Sequence, residues 1–178
     1  MEKSFIFAGF GGQGVILAGK ILAQAAADSG LQVTWLPSYG PEMRGGTANC
    51  TVVLSDEPIG SPVVDTPTVL VAMNLPSLDR FEKTVAKRGM MLVNSSLMAR
   101  PTERNDVRVL SVPANDIAVS LGNSHVANMV ALGAIIKATG TIRLELIKSA
   151  MSRMLSHKVS AKLVAVNKQA LEAGYNVV

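Results

Sequence analysis

The chain has 178 residues, of which 48% are apolar and 17% charged, and its net charge is +4. That length suits one domain with a sizeable core, and no stretch approaches the ~20 apolar residues of a membrane helix; the longest, residues 126–136, is interrupted by Asn128. The single cysteine, Cys50, excludes an internal disulfide and any cysteine-ligated iron–sulfur cluster built from this chain alone, and 4% aromatic content without a nucleic-acid-reading motif excludes the common DNA and RNA binders.

In chain order, Met1-Glu2-Lys3-Ser4 leads straight into a first strand, Lys3 to Ala8, with no signal or transit peptide evident, so a cytoplasmic chain is expected. Gly9, Gly11 and Gly14 then follow the spacing G-x-G-x-x-G between a strand and a helix. The helix, Gln13 to Ser29, is apolar almost all round, with Gln13, Lys20, Gln24 and Asp28 as a narrow polar stripe, so it is covered on most sides. Gly19 admits a close neighbour and Gly30 ends the helix. A second strand, Leu31 to Leu36, runs into Pro37. A nicotinamide site requires an acid about 20 residues after the glycines, and none is present there. The turn therefore either seats a phosphate at the helix N-terminus or only lets the helix pack closely on its strand.

Pro37 to Thr47 breaks both helix and strand, yet carries Tyr39, Glu42 and Arg44, side chains able to recognise a ligand or a partner. Alternatively Glu42 and Arg44 pair with each other in an ordered connection. With the first two strands adjacent and parallel, this loop and the glycine turn emerge at the same carboxyl edge of the sheet, where open α/β sheets bind ligands.

Ala48 to Ser55 reads as a third strand with Cys50 as a small buried hydrophobe. Thr68 to Met73, Met90 to Asn94 and Val107 to Val112 are the next three strands. Ser77 to Ala86 is an amphipathic helix with Leu78, Phe81 and Val85 inward and Asp79, Arg80, Glu82 and Lys83 outward. A short helix, Asp116 to Leu121, follows Pro113. Three helices close the chain: Ser124 to Thr139, ended by Gly140; Ile142 to Leu155; and Ser160 to Ala173, ended by Gly174. The pattern predicts a three-layer α/β/α domain with a mostly parallel, Rossmann-like sheet and a helical C-terminus.

Standard catalytic chemistry is missing. His125 and His157 lack metal partners at helical spacing; His125 reads as a cap or interface residue and His157 as a turn residue. No nucleophile elbow, Walker loop or carboxylate pair is present. Residues 137–178 carry seven Lys/Arg against Glu145 and Glu172, a balance of +5 against −1 for the rest. That is either a solvated helix face or a dock for an acidic partner. High apolar content with few charges suits a subunit.

Phe7-Ala8-Gly9-Phe10-Gly11-Gly12-Gln13-Gly14, Tyr39-Gly40-Pro41-Glu42-Met43-Arg44-Gly45-Gly46-Thr47 and Ile59-Gly60-Ser61-Pro62 closely resemble the gamma subunit of 2-oxoacid:ferredoxin oxidoreductases. Asn74-Leu75-Pro76-Ser77-Leu78-Asp79 and Ala127-Asn128-Met129-Val130-Ala131-Leu132-Gly133 are similar to the same family, so the resemblance covers nearly residues 1–178 as one gamma-type domain. It implies an accessory subunit. Thiamine diphosphate, magnesium and iron–sulfur clusters are expected on alpha, beta and ferredoxin-like delta partners, with ferredoxin as acceptor and coenzyme A as acyl acceptor. It favours 2-oxoglutarate, then branched-chain 2-oxoacids, over pyruvate.

The resemblance makes Gly9, Gly11, Gly12, Gln13, Gly14, Tyr39, Glu42, Arg44, Gly45, Gly46 and Thr47 candidate coenzyme A contacts. Arg44 suits a bidentate phosphate or carboxylate contact; equally, the turn, Glu42 and Arg44 suit a subunit interface. No catalytic residue and no metal ligand is expected here, and the oligomeric state of the isolated chain stays open, with self-association through its apolar surface as one outcome. Two alternatives stay open: the corresponding subunit of an indolepyruvate-type enzyme, and an independent nucleotide-binding module.

Overall fold

The computed structural model describes residues 1–40 and 46–178. Six strands form one sheet: β1 (Glu2–Phe10), β2 (Gln32–Tyr39), β3 (Thr47–Ser55), β4 (Val69–Ala72), β5 (Met90–Asn94) and β6 (Arg108–Val112), in the order β2-β3-β1-β4-β5-β6. The helices are α1 (Val15–Asp28), α2 (Leu75–Phe81), α3 (Ala114–Ser120), α4 (Ala127–Thr139), α5 (Leu144–Leu155) and α6 (Ala161–Asn176).

Strand alternation divides the core. Phe5 and Phe7 of β1, Val69 and Val71 of β4 and Leu92 of β5 face α1, α4 and α5, with Ile21, Leu22, Met129 and Leu132 among the buried partners. Ile6, Ala8, Leu70, Ala72, Met91 and Val93 face the other way, under Leu78 of α2 and Val85. Successive strand residues point to opposite faces, so one run of β-branched and aromatic residues serves two layers. Helix α4 is buried along Ala127–Ile136 because α6 packs over its far side.

The expected neighbourhood of the first two strands is corrected. They point the same way, but β3 lies between them and runs antiparallel to both, with Phe7 opposite Cys50 and Trp35 opposite Val52. Period-two patterning says which residues face the core and nothing about strand direction. Three of the five pairings are parallel, so the sheet is mostly parallel. Pro37 does not end β2, which continues to Tyr39. As an edge strand, β2 accommodates a residue without an N–H.

Two further expectations change. Gly174 does not end the last helix but lies inside α6. The helix after β4 is shorter: Asn74 caps it, its side chain accepting from Ser77 N at 2.9 Å, Pro76 sits in the first turn, and a single 3-10 turn, Glu82–Thr84, follows.

That turn places Glu82 inward, contrary to its expected outward position, at 2% exposure. Its carboxylate accepts from Thr102 Oγ1, from Glu103 N at 2.6 Å and from Arg100 Nη2 at 2.9 Å. Burial pushes this carboxyl up, but these bonds outweigh burial and hold it below its ordinary value of 4.5. A depressed carboxyl stabilises the fold above that ordinary value, and the contribution disappears as pH falls through the folded value. Glu82→Gln is therefore expected to lower stability at pH 7 by roughly 1–3 kcal/mol and, in acid unfolding followed by circular dichroism, to flatten the fall of stability below about pH 5. An unchanged slope would mean that Glu82 does not carry it.

Candidate functional site

Strand β1 ends at Phe10 and the glycine turn follows at the carboxyl edge of the sheet. Gly14 is the N-cap of α1 with φ 71°, and a Cβ there would lie 2.3 Å from Nδ2 of Asn128. Both conditions select glycine: a left-handed backbone and a neighbour pressed against the bare Cα. Asn128 Nδ2 also donates to the Gly14 carbonyl at 3.0 Å, so α4 fixes the turn from behind. The first turn of α1 contains no acidic residue and its cap makes no side-chain hydrogen bond. Its N–H groups and the positive end of the helix dipole are left for an external anion.

The second loop meets this turn directly. Gly11 N donates to Gly46 O at 2.8 Å, and Gly40 N to Thr47 O at 2.8 Å. Thr47 opens β3 opposite Phe10. Tyr39 ends β2 half exposed, at 52%. Glu42, Arg44 and Gly45 lie outside the described residues.

Among the described candidates the structure separates two groups. Gly11, Gly12, Gly14 and Tyr39 line a cleft of about 440 Å³ between the start of α1 and β2. Its walls are largely apolar, and it holds Lys20 and Trp35, two residues not among the sequence candidates. The Lys20 ammonium sits 5.3 Å from the Trp35 ring centroid. The buried indole N–H has no hydrogen-bond partner among the described residues. The cleft thus combines helix N–H groups and a cation with an apolar wall, which suits a ligand having both phosphate and apolar parts.

Gln13 turns the other way. Its Oε1 accepts from Phe10 N at 2.7 Å and Asn74 Nδ2 at 2.8 Å. Asn94, fully buried, donates to Met73 O at 3.1 Å and Asn115 Oδ1 at 2.7 Å and accepts from Ala114 N at 3.1 Å. These amides tie the ends of β1, β4 and β5 to α3 at the point where the chain reverses strand order, the crevice where α/β sheets bind ligands. A second cavity of about 190 Å³ opens there, lined by Gln13, Asn115, Ser124 and His125. Sequence reasoning missed Asn74, Asn94 and Asn115 as a group; only Asn74, an N-cap signal before Leu-Pro-Ser, was detectable locally. Gly9 lies within β1 against Gln13, Val15 and Met73, where a Cβ would come within 2.7 Å of Gln13 Oε1.

His125 is exposed, and Asn123, not His125, caps its turn by accepting from His125 N at 3.0 Å. His157 is exposed in the turn between α5 and α6. Among the described residues no group of three His, Cys, Asp or Glu could hold a metal ion, and no helix is long and apolar enough to cross a membrane. Cys50 is fully buried, its thiol donating to Val15 O at 3.5 Å. Burial pushes that thiol up to about 12, against weaker opposition from the nearby Trp35 indole and the backbone of Gly19 and Phe7, so the reactive thiolate is suppressed. Cys50 is expected to resist a thiol-exchange reagent at pH 8 in the native chain and to react within minutes in urea; native labelling at the denatured rate would contradict this burial.

Residues 4–177 match the family described as Pyruvate ferredoxin/flavodoxin oxidoreductase. The chain belongs to that family. It is 46% identical over 169 residues to the ketoisovalerate oxidoreductase subunit VorA of Methanothermobacter thermautotrophicus, covering 94% of this chain and 34% of that protein. The chain thus spans about a third of the length of that curated relative. The gamma subunit of a keto/oxoacid ferredoxin oxidoreductase from Geobacter sulfurreducens has the same fold, with a TM-score of 0.82, 32% identity, and coverage of 98% of this chain and 96% of that one. The 2-oxoglutarate:ferredoxin oxidoreductase from Magnetococcus marinus, solved with 2-oxoglutarate, coenzyme A and succinyl-CoA bound, gives a TM-score of 0.90 at 25% identity, over 99% of this chain and 31% of that one. Over 98% of its length the chain therefore corresponds to a gamma subunit of this oxidoreductase family.

Proposed function

We propose that the chain is the gamma component of a 2-oxoacid:ferredoxin oxidoreductase, which converts a 2-oxoacid and coenzyme A to acyl-CoA and CO2 and passes two electrons to ferredoxin. The observation that carries this is the match to a gamma subunit over 98% of this chain and 96% of that one, rather than to a glycine turn alone. Among the described residues the donor set suits no metal, and the lone thiol is sealed inside β3. Thiamine diphosphate, its magnesium ion and the iron–sulfur clusters are assigned to alpha, beta and delta partners.

What this chain's own residues contribute is binding. The first-turn N–H groups of α1 and Lys20 receive a phosphate of coenzyme A, while Trp35 supplies an apolar wall. The Gln13–Asn74 and Gly14–Asn128 hydrogen bonds hold the turn open for it. We infer a branched-chain 2-oxoacid as the first substrate to try and 2-oxoglutarate as the second, a reading supported by 46% identity to a ketoisovalerate oxidoreductase subunit and 35% to a 2-oxoglutarate synthase subunit.

The test is anaerobic co-purification from native extract, followed by coenzyme-A-dependent reduction of a ferredoxin substitute with 3-methyl-2-oxobutanoate, 2-oxoglutarate, pyruvate and indolepyruvate. Activity in a complex with thiamine- and iron–sulfur-bearing chains is expected. A chain that purifies alone with a tightly held nucleotide, and no such activity, would overturn the assignment.

A further inference from the structure

The edge of the sheet opposite the glycine turn carries a cleft of different construction. It has a volume of about 260 Å³ and lies over the first residues of β4 and β5. Four cations border it: Lys3 near the start of β1, Lys87 and Arg88 from the turn before β5, and Arg108, the first residue of β6. They come from three segments far apart in sequence and meet only because β1, β4, β5 and β6 are consecutive and parallel, with their amino ends at one edge. Among the described residues none of the four forms an ion pair. Asp106, the adjacent acid, is committed to Arg104 through bonds of 2.5 and 2.9 Å. Lys3 donates one proton to Thr139 O at 3.0 Å, which fixes its ammonium at the cleft and leaves its other donors unused.

The backbone at Arg88 supplies an independent observation. It has φ 62°, the sole positive value at a non-glycine position among the described residues. The turn is closed by Gly89 N donating to Ala86 O at 2.9 Å, and Arg88 N donates to Asp106 O at 2.8 Å. Such a position favours glycine, and a long side chain there is strained. The backbone bonds would be made equally well by glycine, so the turn itself does not explain the arginine. A strained residue over a cleft points to a role for its side chain.

We propose that this cleft binds the phosphate groups of a small, multiply charged ligand, with Arg88 and Arg108 giving forked contacts and Lys3 and Lys87 giving point charges. Guanidinium groups match phosphate oxygens in pairs, whereas ammonium groups neutralise without fixing orientation. The volume admits one or two phosphoryl groups and leaves the remainder of a larger molecule in solvent. The site is separate from the glycine-turn cleft and does not depend on the coenzyme A reading.

Titration calorimetry of the purified full chain with inorganic pyrophosphate at low ionic strength tests it, with ADP as a second probe. Saturable one-to-one binding is expected, weakening as chloride is raised. Arg88→Gly should weaken it at least tenfold while leaving the melting temperature without ligand equal or higher, because glycine relieves the turn. Arg108→Gln, at an exposed strand start, should weaken it independently. Tighter binding of ADP than of pyrophosphate would indicate a nucleotide as the source of the phosphates, and equal affinity a phosphate alone. Absence of saturable pyrophosphate binding, response to a poly-glutamate peptide only, or full wild-type affinity in both variants would overturn the proposal.

Discussion

Replacing Gly174 with alanine is expected to prevent the chain from accumulating as a folded protein. A Cβ at Gly174 would sit 1.9 Å from the Val130 carbonyl oxygen, 2.7 Å from its carbon and 2.9 Å from its Cα. Gly133 faces the same crossing from α4, where a Cβ would lie 2.0 Å from Leu171 O. All of these neighbours are backbone atoms, so no rotamer change relieves the clash; one helix must move. Movement would open the contacts of Val130, Ala170 and Leu171, each at most 1% exposed, in an interior packed at crystal-like density. A loss exceeding about 3 kcal/mol is expected, from a total that for domains of this kind is about 5–15 kcal/mol. Urea denaturation followed by circular dichroism measures it. Gly60→Ala is the control, since no atom lies within 4 Å of its added Cβ. A Gly174→Ala chain as stable as the Gly60→Ala chain would mean that the helices do not approach as closely as described.

Asn94→Ala ranks second. The side chain is fully buried and serves three groups at once: Met73 O, Asn115 Oδ1 and Ala114 N. Alanine leaves the Ala114 N–H and the oxygens without that partner, each such group costing roughly 1–3 kcal/mol in the interior, and leaves a void as well. A loss of roughly 3 kcal/mol or more follows. Because Met73 O also faces Gln13 Nε2, at 3.5 Å, the damage extends to the glycine turn. Hydrogen exchange should show faster exchange at Phe10, whose N–H is held by Gln13, in Asn94→Ala than in a core variant of equal destabilisation such as Val71→Ala. Equal rates in the two variants would confine Asn94 to packing.

Much of the architecture is legible locally, and the places where it is not share a cause. β5 occupies the predicted Met90–Asn94, and β1, β3 and β4 differ only at their ends, because dense apolar runs bounded by turn residues have one reading. The helix that ends at Gly140 stops there, with φ 61°, as its punctuation requires. Gly174 carries the same residue type for a different reason, close approach of α4, which is set by a segment about 40 residues earlier and leaves no local mark. Glu82 has an ordinary outward helical spacing, but Arg100 and Thr102 come back to meet it only after β5 is placed. In the site, the glycine turn and its neighbouring loop are readable as segments. The entry of Lys20 and Trp35 depends on β3 lying between β2 and β1, and that of Asn94 on β4 and β5 lying on the other side of β1. Strand order is a long-range property, and an alternating pattern does not encode it.

The central position of β1 also bears on how the protein leaves the ribosome. This strand precedes both of its sheet neighbours in the chain, and they are completed only at Ser55 and Ala72. The nascent chain must therefore carry Phe5, Ile6 and Phe7 unpaired through the emergence of α1 and the first hairpin. The delay is repeated at the other end: α4, buried from Ala127 to Ile136 in the finished fold, stays bare until Ala161–Asn176 emerge to cover it. Exposed apolar segments of this kind recruit chaperones and aggregate when synthesis stalls. Within these residues the covering of α4 by α6 comes after every strand of the sheet has been made.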